Sequence, residues 1–146
     1  MKYIWIAYEN EEYWMELDEE LYALRQVIID SDSRMHVSCR EDCLGEGAVI
    51  EDELDGVYRE VEPEAFEETW SLAVKDYRSE WMKAKENYPI GCKVQIVCQY
   101  FYPQGAIAAG DDFVAVYRGT EESPLRKSLT AQVTGYDEVN MWLVLQ

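Results

Sequence analysis

The chain has 146 residues, of which 48% are hydrophobic and 13% aromatic, so it can bury a core in one domain or in two small ones. Thirteen basic against thirty acidic side chains leave a formal net charge of -17, which repels polyanions at long range and disfavours anionic membrane surfaces. These values exclude a chain that is disordered throughout, and they put non-specific nucleic-acid binding at an electrostatic disadvantage.

The apolar run near the N-terminus, residues 3–8, is followed by acidic residues and is too short for the hydrophobic region of a signal peptide. No other stretch has the length of a membrane span, so we expect a cytoplasmic protein with no membrane partner. In that compartment Cys39, Cys43, Cys92 and Cys98 are expected to be reduced thiols. Their spacing matches neither CxxC pairs nor a familiar zinc site, which predicts small buried side chains and no bound metal.

Two hairpins are predicted at the start of the chain. Residues 3–8 and 13–17 are apolar runs on either side of an acidic turn, and residues 25–29 and 35–39 are runs rich in β-branched residues on either side of a polar turn. Together they predict a small antiparallel sheet.

A helix competes with the second hairpin over residues 18–29. Apolar residues recur there at helical spacing, with Asp18 in position to cap the N-terminus: Leu17, Leu21, Leu24 and Ile28. The sequence leaves strand and helix open for this stretch. The acidic, glycine-containing residues 45–56 that follow the sheet are typical of an irregular, solvated connection.

The clearest helix is predicted at about residues 63–87. Apolar residues recur at spacings of three and four on one face: Phe66, Trp70, Ala73, Val74, Tyr77, Trp81 and Ala84. Pro63 suits the first turn, and acidic residues precede basic ones, which is the order that the helix dipole favours. We therefore expect Trp70 and Trp81 in the core rather than in a binding stripe.

The composition changes at Tyr88-Pro89-Ile90-Gly91. Residues 1–88 hold 24 acidic and 9 basic side chains, whereas residues 89–146 hold 6 and 4. A residue before proline is pushed out of the helical region, and a glycine follows. We therefore predict two domains, an acidic α+β region at 1–88 and a second domain at 89–146.

Beyond Gly91 five short strands are predicted, at residues 93–100, 106–109, 114–117, 129–134 and 141–145. One longer connection, residues 118–128, separates the third strand from the fourth, which suits a Greek-key barrel of OB type. An SH3-like barrel fits the spacing almost as well. The predicted fold class is therefore α+β, with a small N-terminal antiparallel sheet, one long amphipathic helix and a five-stranded barrel.

Three short motifs in residues 89–146 resemble the S1 RNA-binding domain. Gly91-Cys-Lys-Val94 corresponds to the glycine that opens the first strand of that family, Gly105-Ala-Ile107 to the turn into the second, and Asp137 with Leu143-Val-Leu145 to the closing aspartate and last strand. The resemblance covers about two-fifths of the chain and implies an S1-like OB-fold barrel. It also implies that Val94, Ile107, Val133 and Leu143 share one core.

The RNA-contact positions that the resemblance implies depart from the family's pattern. The aromatic residues on either side of the Gly-Ala pair are replaced by Gln104 and Ile107. Tyr117 stands where the family often has histidine, and Trp142 stands where it has arginine. At these two positions aromatic rings therefore replace cations. Rings can stack on unpaired bases, but they do not neutralise phosphate charges.

The candidate RNA-contact residues are consequently five rings and two cations: Tyr100, Phe101, Tyr102, Tyr117, Trp142, Lys93 and Arg118. In the alternative interpretation the rings are core residues that pack against the upstream helix or sheet. Clustering of Arg118, Arg126 and Lys127 beside exposed rings favours an RNA ligand, whereas a contiguous carboxylate face favours a basic protein.

No motif points to catalysis or to a cofactor. His36 is the only histidine, and the sequence contains no nucleophile elbow, P-loop or dinucleotide fingerprint. We therefore expect a non-enzymatic binding protein that weakly contacts single-stranded RNA or an RNA-associated partner. The second hypothesis is an acidic protein-binding module, such as an immunity protein or inhibitor, that masks a basic protein surface.

Overall fold

The computed structural model describes all 146 residues and groups them into two compact units, Met1–Lys75 and Asp76–Gln146. The fold is α+β, with one five-stranded sheet in each unit and one helical segment of 25 residues, which confirms the predicted class at this level. No helix combines the length and the apolar character that crossing a membrane requires.

The sheet of the first unit is antiparallel, with strand order β4-β3-β2-β1-β5. Its strands are β1 (Lys2–Tyr8), β2 (Glu11–Leu17), β3 (Ala23–Ile29), β4 (Met35–Val37) and β5 (Val57–Glu60). Both predicted hairpins are present, because β1 pairs with β2 and β3 pairs with β4. The short strand β5, which the sequence did not indicate, pairs with β1 at the edge of the sheet.

Residues 18–29 form a turn followed by strand β3, so the alternative of a helix is wrong. Asp18 caps no helix, because its Oδ1 accepts the backbone N–H groups of Glu20 and Tyr22, both at 2.9 Å. Leu21 has a φ of 69°, which is incompatible with a right-handed helix. Polar residues that cap helices also close turns, and here the turn brings β3 back against β2.

The helical segment consists of α1 (Pro63–Val74), a 3-10 turn (Lys75–Tyr77) and α2 (Arg78–Asn87). Within the first unit, α1 lies on one face of the sheet and buries Phe66, Trp70 and Val74. The Phe66 ring lies 5.3 Å from the ring of Tyr3 on β1. The expectation that Trp70 is a core residue is therefore confirmed.

A buried arginine joins this helix to the sheet. Arg25 on β3 is 5% exposed, and its guanidinium forms ion pairs with Glu16 on β2, at 2.8 Å, and with Glu67 on α1. The same guanidinium lies 4.9 Å from the ring centroid of Phe66 and 5.0 Å from that of Trp70. Burial is the largest single influence on Glu16 and raises its pKa, but the hydrogen bonds and charge of Arg25, together with the hydrogen bond from Tyr3, outweigh it and lower the pKa.

The sheet of the second unit contains β6 (Lys93–Tyr102), β7 (Gly105–Ala109), β8 (Val114–Tyr117), β9 (Ser128–Asp137) and β10 (Trp142–Leu145). The strand order is β10-β8-β7-β6-β9, and β9 also pairs with β10. Every pairing is antiparallel except that of β10 with β8. All five predicted strands are present; β6, β7 and β9 are longer than predicted, and β10 begins one residue later. The four residues expected to share a core, Val94, Ile107, Val133 and Leu143, are all buried.

Helix α2 packs within the second unit. The ring of Trp81 meets the ring of Tyr136 on β9 edge-on, with centroids 5.8 Å apart. The Tyr136 hydroxyl in turn donates a hydrogen bond to the carbonyl oxygen of Tyr88 at 2.8 Å. These contacts explain why residues 76–88 group with the second unit, upstream of the boundary expected after Tyr88.

All four cysteines are free thiols. Burial, together with the charges of Glu41 and Asp42, raises the pKa of Cys43 to about 12, and burial also raises the pKa of Cys98. No group of three or more histidine, cysteine, aspartate and glutamate side chains is arranged to hold a metal ion.

Replacement of Arg25 by methionine keeps an unbranched side chain but leaves Glu16, whose side chain is 12% exposed, without its cation. We expect Arg25→Met to lower the free energy of unfolding by about 3–5 kcal/mol, the cost of removing one partner of a buried ion pair. Urea unfolding followed by tryptophan fluorescence measures the change. The control is Arg34→Met at an exposed position, where we expect a change of about 0.5 kcal/mol or less. Equal losses in the two variants would contradict the role assigned to Arg25.

Candidate nucleic-acid interface

Two of the five candidate rings lie in the core of the second unit. Trp142 is 1% exposed and Tyr102 is 8% exposed, and their ring centroids are 6.2 Å apart. The half-buried ring of Tyr100 lies 5.0 Å from that of Tyr102. A base has no access to the face of a buried ring, so Tyr102 and Trp142 are not available for stacking.

Phe101 is the candidate ring that the structure exposes, with a relative exposure of 57%. It lies on β6, and its cross-strand partner is Ala106 on β7, which in turn pairs with Tyr117 on β8. Phe101 and Tyr117 therefore share one row across three strands, with their backbones about 10 Å apart. We call Phe101, Ala106 and Tyr117 the aromatic row.

The loop that follows β8 covers part of Tyr117. The backbone N–H of Glu121 donates a hydrogen bond to the Tyr117 hydroxyl at 3.3 Å. Gly119 passes so close to the ring that a Cβ atom there would lie 2.3 Å from the hydroxyl oxygen. Tyr117 is therefore held in place by its own loop, and Phe101 is the more accessible member of the aromatic row.

Of the predicted cations, Arg118 adjoins the aromatic row and Lys93 does not. Arg118 follows Tyr117 directly, and its Nε donates a hydrogen bond to the carbonyl oxygen of Gln104 at 2.9 Å, in the turn between β6 and β7. Lys93 begins β6, at the far end of the strand from Phe101, a distance of about 26 Å along an extended chain.

Charge in the second unit, which contains the aromatic row, is nearly balanced. Lys127 in the loop after β8 pairs with Glu121 at 2.6 Å, and this hydrogen bond lowers the pKa of Glu121. The second unit carries nine acidic and seven basic side chains, whereas the first carries 21 and 6. The negative charge of the protein is therefore concentrated in the first unit. The few cations near the aromatic row can neutralise few phosphate charges.

The pattern of buried residues along β6 separates Phe101 from its neighbours. Val94, Ile96 and Cys98 are buried at alternate positions of β6, and after a register irregularity between Cys98 and Tyr100 the buried residue is Tyr102 and the exposed one Phe101. Tyr100, Phe101 and Tyr102 are all predicted as contact residues from the sequence, whereas the structure exposes only Phe101 among them.

His36 lies between two carboxylates rather than beside a nucleophile. Its Nε2 is 2.8 Å from Asp30 and its Nδ1 is 2.9 Å from Glu41. The hydrogen bonds with Asp30 and Glu41 raise the pKa of His36. Both ring nitrogens of His36 are at hydrogen-bonding distance from carboxylates, which favours the protonated imidazole that donates from both.

The aromatic row offers stacking more than charge. Its accessible part is one phenyl ring and one half-buried phenol, with one guanidinium beside them, which suits a planar unpaired base better than a phosphate chain.

Comparisons of the chain with protein-family models, with curated proteins and with solved structures found no match.

Gly105 opens β7 beside the aromatic row. Its φ is 145°, and a Cβ atom there would lie 2.8 Å from the carbonyl oxygen of Tyr117. We expect Gly105→Ala to lower the free energy of unfolding by about 1–3 kcal/mol, because the backbone of β8 has to move. Gly135→Ala on β9 is the control, since nothing lies within 4 Å of a Cβ there. Chemical denaturation compares the two variants, and a loss at Gly135 as large as that at Gly105 would refute the steric argument.

The raised pKa of His36 predicts a pH-dependent stability. Because folding favours the protonated imidazole, this contribution is fully present below the unfolded pKa of about 6.5 and is lost as the pH rises through the higher folded value. We expect the difference in melting temperature between wild type and His36→Gln to be larger at about pH 5.5 than at about pH 9. Thermal unfolding at both pH values measures it, and a difference that does not change with pH would show that the ion pairs contribute nothing.

Proposed function

We propose that the second unit is an S1-like OB-fold barrel and that the protein is a non-enzymatic module that binds single-stranded RNA. The strand order supports the barrel. Counted within the unit, the fifth strand pairs with the third and the fourth, and the fourth strand pairs with the first. This is the order of a five-stranded Greek-key barrel of OB type.

The pairing of β10 with β8 favours this fold over the SH3-like alternative. It is parallel, with Leu143 opposite Ala115 and Leu145 opposite Tyr117. SH3-like barrels are built from antiparallel neighbours, whereas the OB-fold has one parallel pair, between its third and fifth strands. The connection from β8 to β9, residues 118–127, is then the long crossing that a Greek key needs.

The observation that carries the proposed function is the exposure of Phe101 in the aromatic row. OB-folds bind oligonucleotides on the face of their second and third strands and at the adjoining loops. In this chain those strands are β7 and β8, and the aromatic row crosses both. Phe101 offers a face for a base to stack on, and Arg118 lies at the end of the row, where it can contact the next base or its phosphate.

The same geometry supports weak binding with a preference for single strands. A duplex keeps its base faces stacked inside, so a protein ring reaches them only in unpaired RNA. Few cations adjoin the aromatic row, so few counterions are released on binding. Stacking then supplies most of the affinity, and the salt dependence is shallow.

Titration of a short single-stranded RNA at two salt concentrations tests the proposal. A base stacked on a ring contributes roughly 1–3 kcal/mol, so Phe101→Ala should weaken binding by about ten- to a hundredfold. Val97→Ala is the matched control, because Val97 is 44% exposed on the same strand and lies outside the aromatic row. Lys93→Ala should change the affinity little, because Lys93 is at the far end of β6.

Circular dichroism and thermal unfolding establish that each variant is folded. Equal losses for Phe101→Ala and Val97→Ala, or equal affinity for a duplex of the same sequence, would contradict binding by stacking. If folded wild-type protein does not bind the RNA at low salt, the RNA proposal is wrong, and the acidic protein-binding module becomes the function to test.

A further inference from the structure

An open cleft of about 390 Å³ lies in the first unit. Its floor is formed by neighbouring strands of the sheet, with Ile6 on β1, Met15 on β2 and Gln26 on β3. Side chains alternate between the faces of a strand, and Tyr3 and Arg25 on the other face contact α1. The cleft is therefore on the sheet face that α1 does not cover.

The walls of the cleft combine rings with carboxylates. Tyr8 and Tyr13 stand on one side, and the segment that leads into β5 contributes Glu53, Leu54 and Asp55. Both of these carboxylates are exposed, and neither forms an ion pair within the protein. No basic side chain lines the cleft. A cation that enters it therefore meets two uncompensated negative charges.

Gln26 adds a buried polar group to the floor. It is 3% exposed, and its Oε1 accepts the backbone N–H of Gly45 at 2.7 Å. Its Nε2 makes no hydrogen bond within the chain. This Nε2 is not among the buried side-chain atoms that lack a partner, so it is accessible from the cleft and can donate a hydrogen bond to an acceptor that a ligand brings.

We propose that this cleft binds an arginine side chain presented by an extended, basic segment of a partner protein. The methylene stem of the arginine packs on Ile6 and Met15, which supply an apolar floor. The guanidinium stacks against a tyrosine ring and donates hydrogen bonds to Glu53 and Asp55. A backbone carbonyl of the same segment accepts a hydrogen bond from Nε2 of Gln26.

The charge of the first unit supports a basic partner over a neutral one. With 21 acidic and 6 basic side chains, the unit attracts cationic segments over distances longer than the cleft itself and accelerates their encounter. The same charge repels nucleic acid. The cleft belongs to the first unit and the aromatic row to the second, and the arginine proposal does not depend on the proposed RNA binding.

A short blocked peptide of glycine and serine with one central arginine is the probe. The matched peptide carries citrulline, which has nearly the same shape and no charge. NMR titration of the full-length protein follows the backbone amide of Gly45 and the side-chain amide of Gln26. We expect the arginine peptide to shift both signals and to bind about tenfold or more tightly than the citrulline peptide.

Paired variants separate a local site from general attraction. Glu53→Gln with Asp55→Asn should weaken binding of the arginine peptide by about tenfold or more. Glu19→Gln with Glu20→Gln removes two exposed carboxylates of the same unit outside the cleft and should leave the affinity nearly unchanged. Phe101→Ala should have no effect on this peptide.

Three results would overturn the proposal. Equal losses in the two double variants would mean that only the overall charge attracts the peptide. Equal binding of the citrulline peptide would mean that the guanidinium charge is not recognised. If N-acetyl-arginine amide alone binds as tightly as the peptide, the cleft takes a small cationic molecule and not a protein segment.

Discussion

The buried guanidinium of Arg25 sets the arrangement of the first unit. A cation that leaves water is tolerated only where its charge and its donors are matched. Glu16 ties it to the neighbouring strand, Glu67 ties it to α1, and the rings of Phe66 and Trp70 lie within 5.0 Å of it. A slip of α1 by one turn would leave the cation without the partners that only this register provides. The arginine therefore selects one placement of the helix on the sheet.

Most strands were predictable, because alternation and turn chemistry act over a few residues. Residues 18–29 show the limit of such local signals. The local pattern predicted a hairpin strand but left a helix open as the alternative, and pairing of β3 with β2 and β4 decided between them. Strand β5 has no local signal, since two of its four residues, Arg59 and Glu60, are charged. It forms because β1 has an edge to pair with.

The candidate sites also differ in how far the sequence alone predicts them. The alternation of buried and exposed residues in the first part of β6 is visible in the sequence, but the irregularity before Tyr100 is not. Strand β10 is buried at three of its four positions, so no alternation reveals which way Trp142 points. No sequence pattern predicted the cleft. Its lining comes from three strands and from a connection that the sequence described only as irregular, and the pairing of the strands is what brings these residues together.

The high pKa of Cys43 has a consequence for the chemistry of the segment between β4 and β5. The thiolate is the reactive form of cysteine, and the raised pKa of about 12 keeps Cys43 as the protonated thiol at neutral pH. Peroxides and small disulfides therefore encounter almost no nucleophile there. Gly45, two residues further on, hydrogen-bonds to Gln26 in the cleft. The segment beside the cleft is therefore protected from oxidation at Cys43.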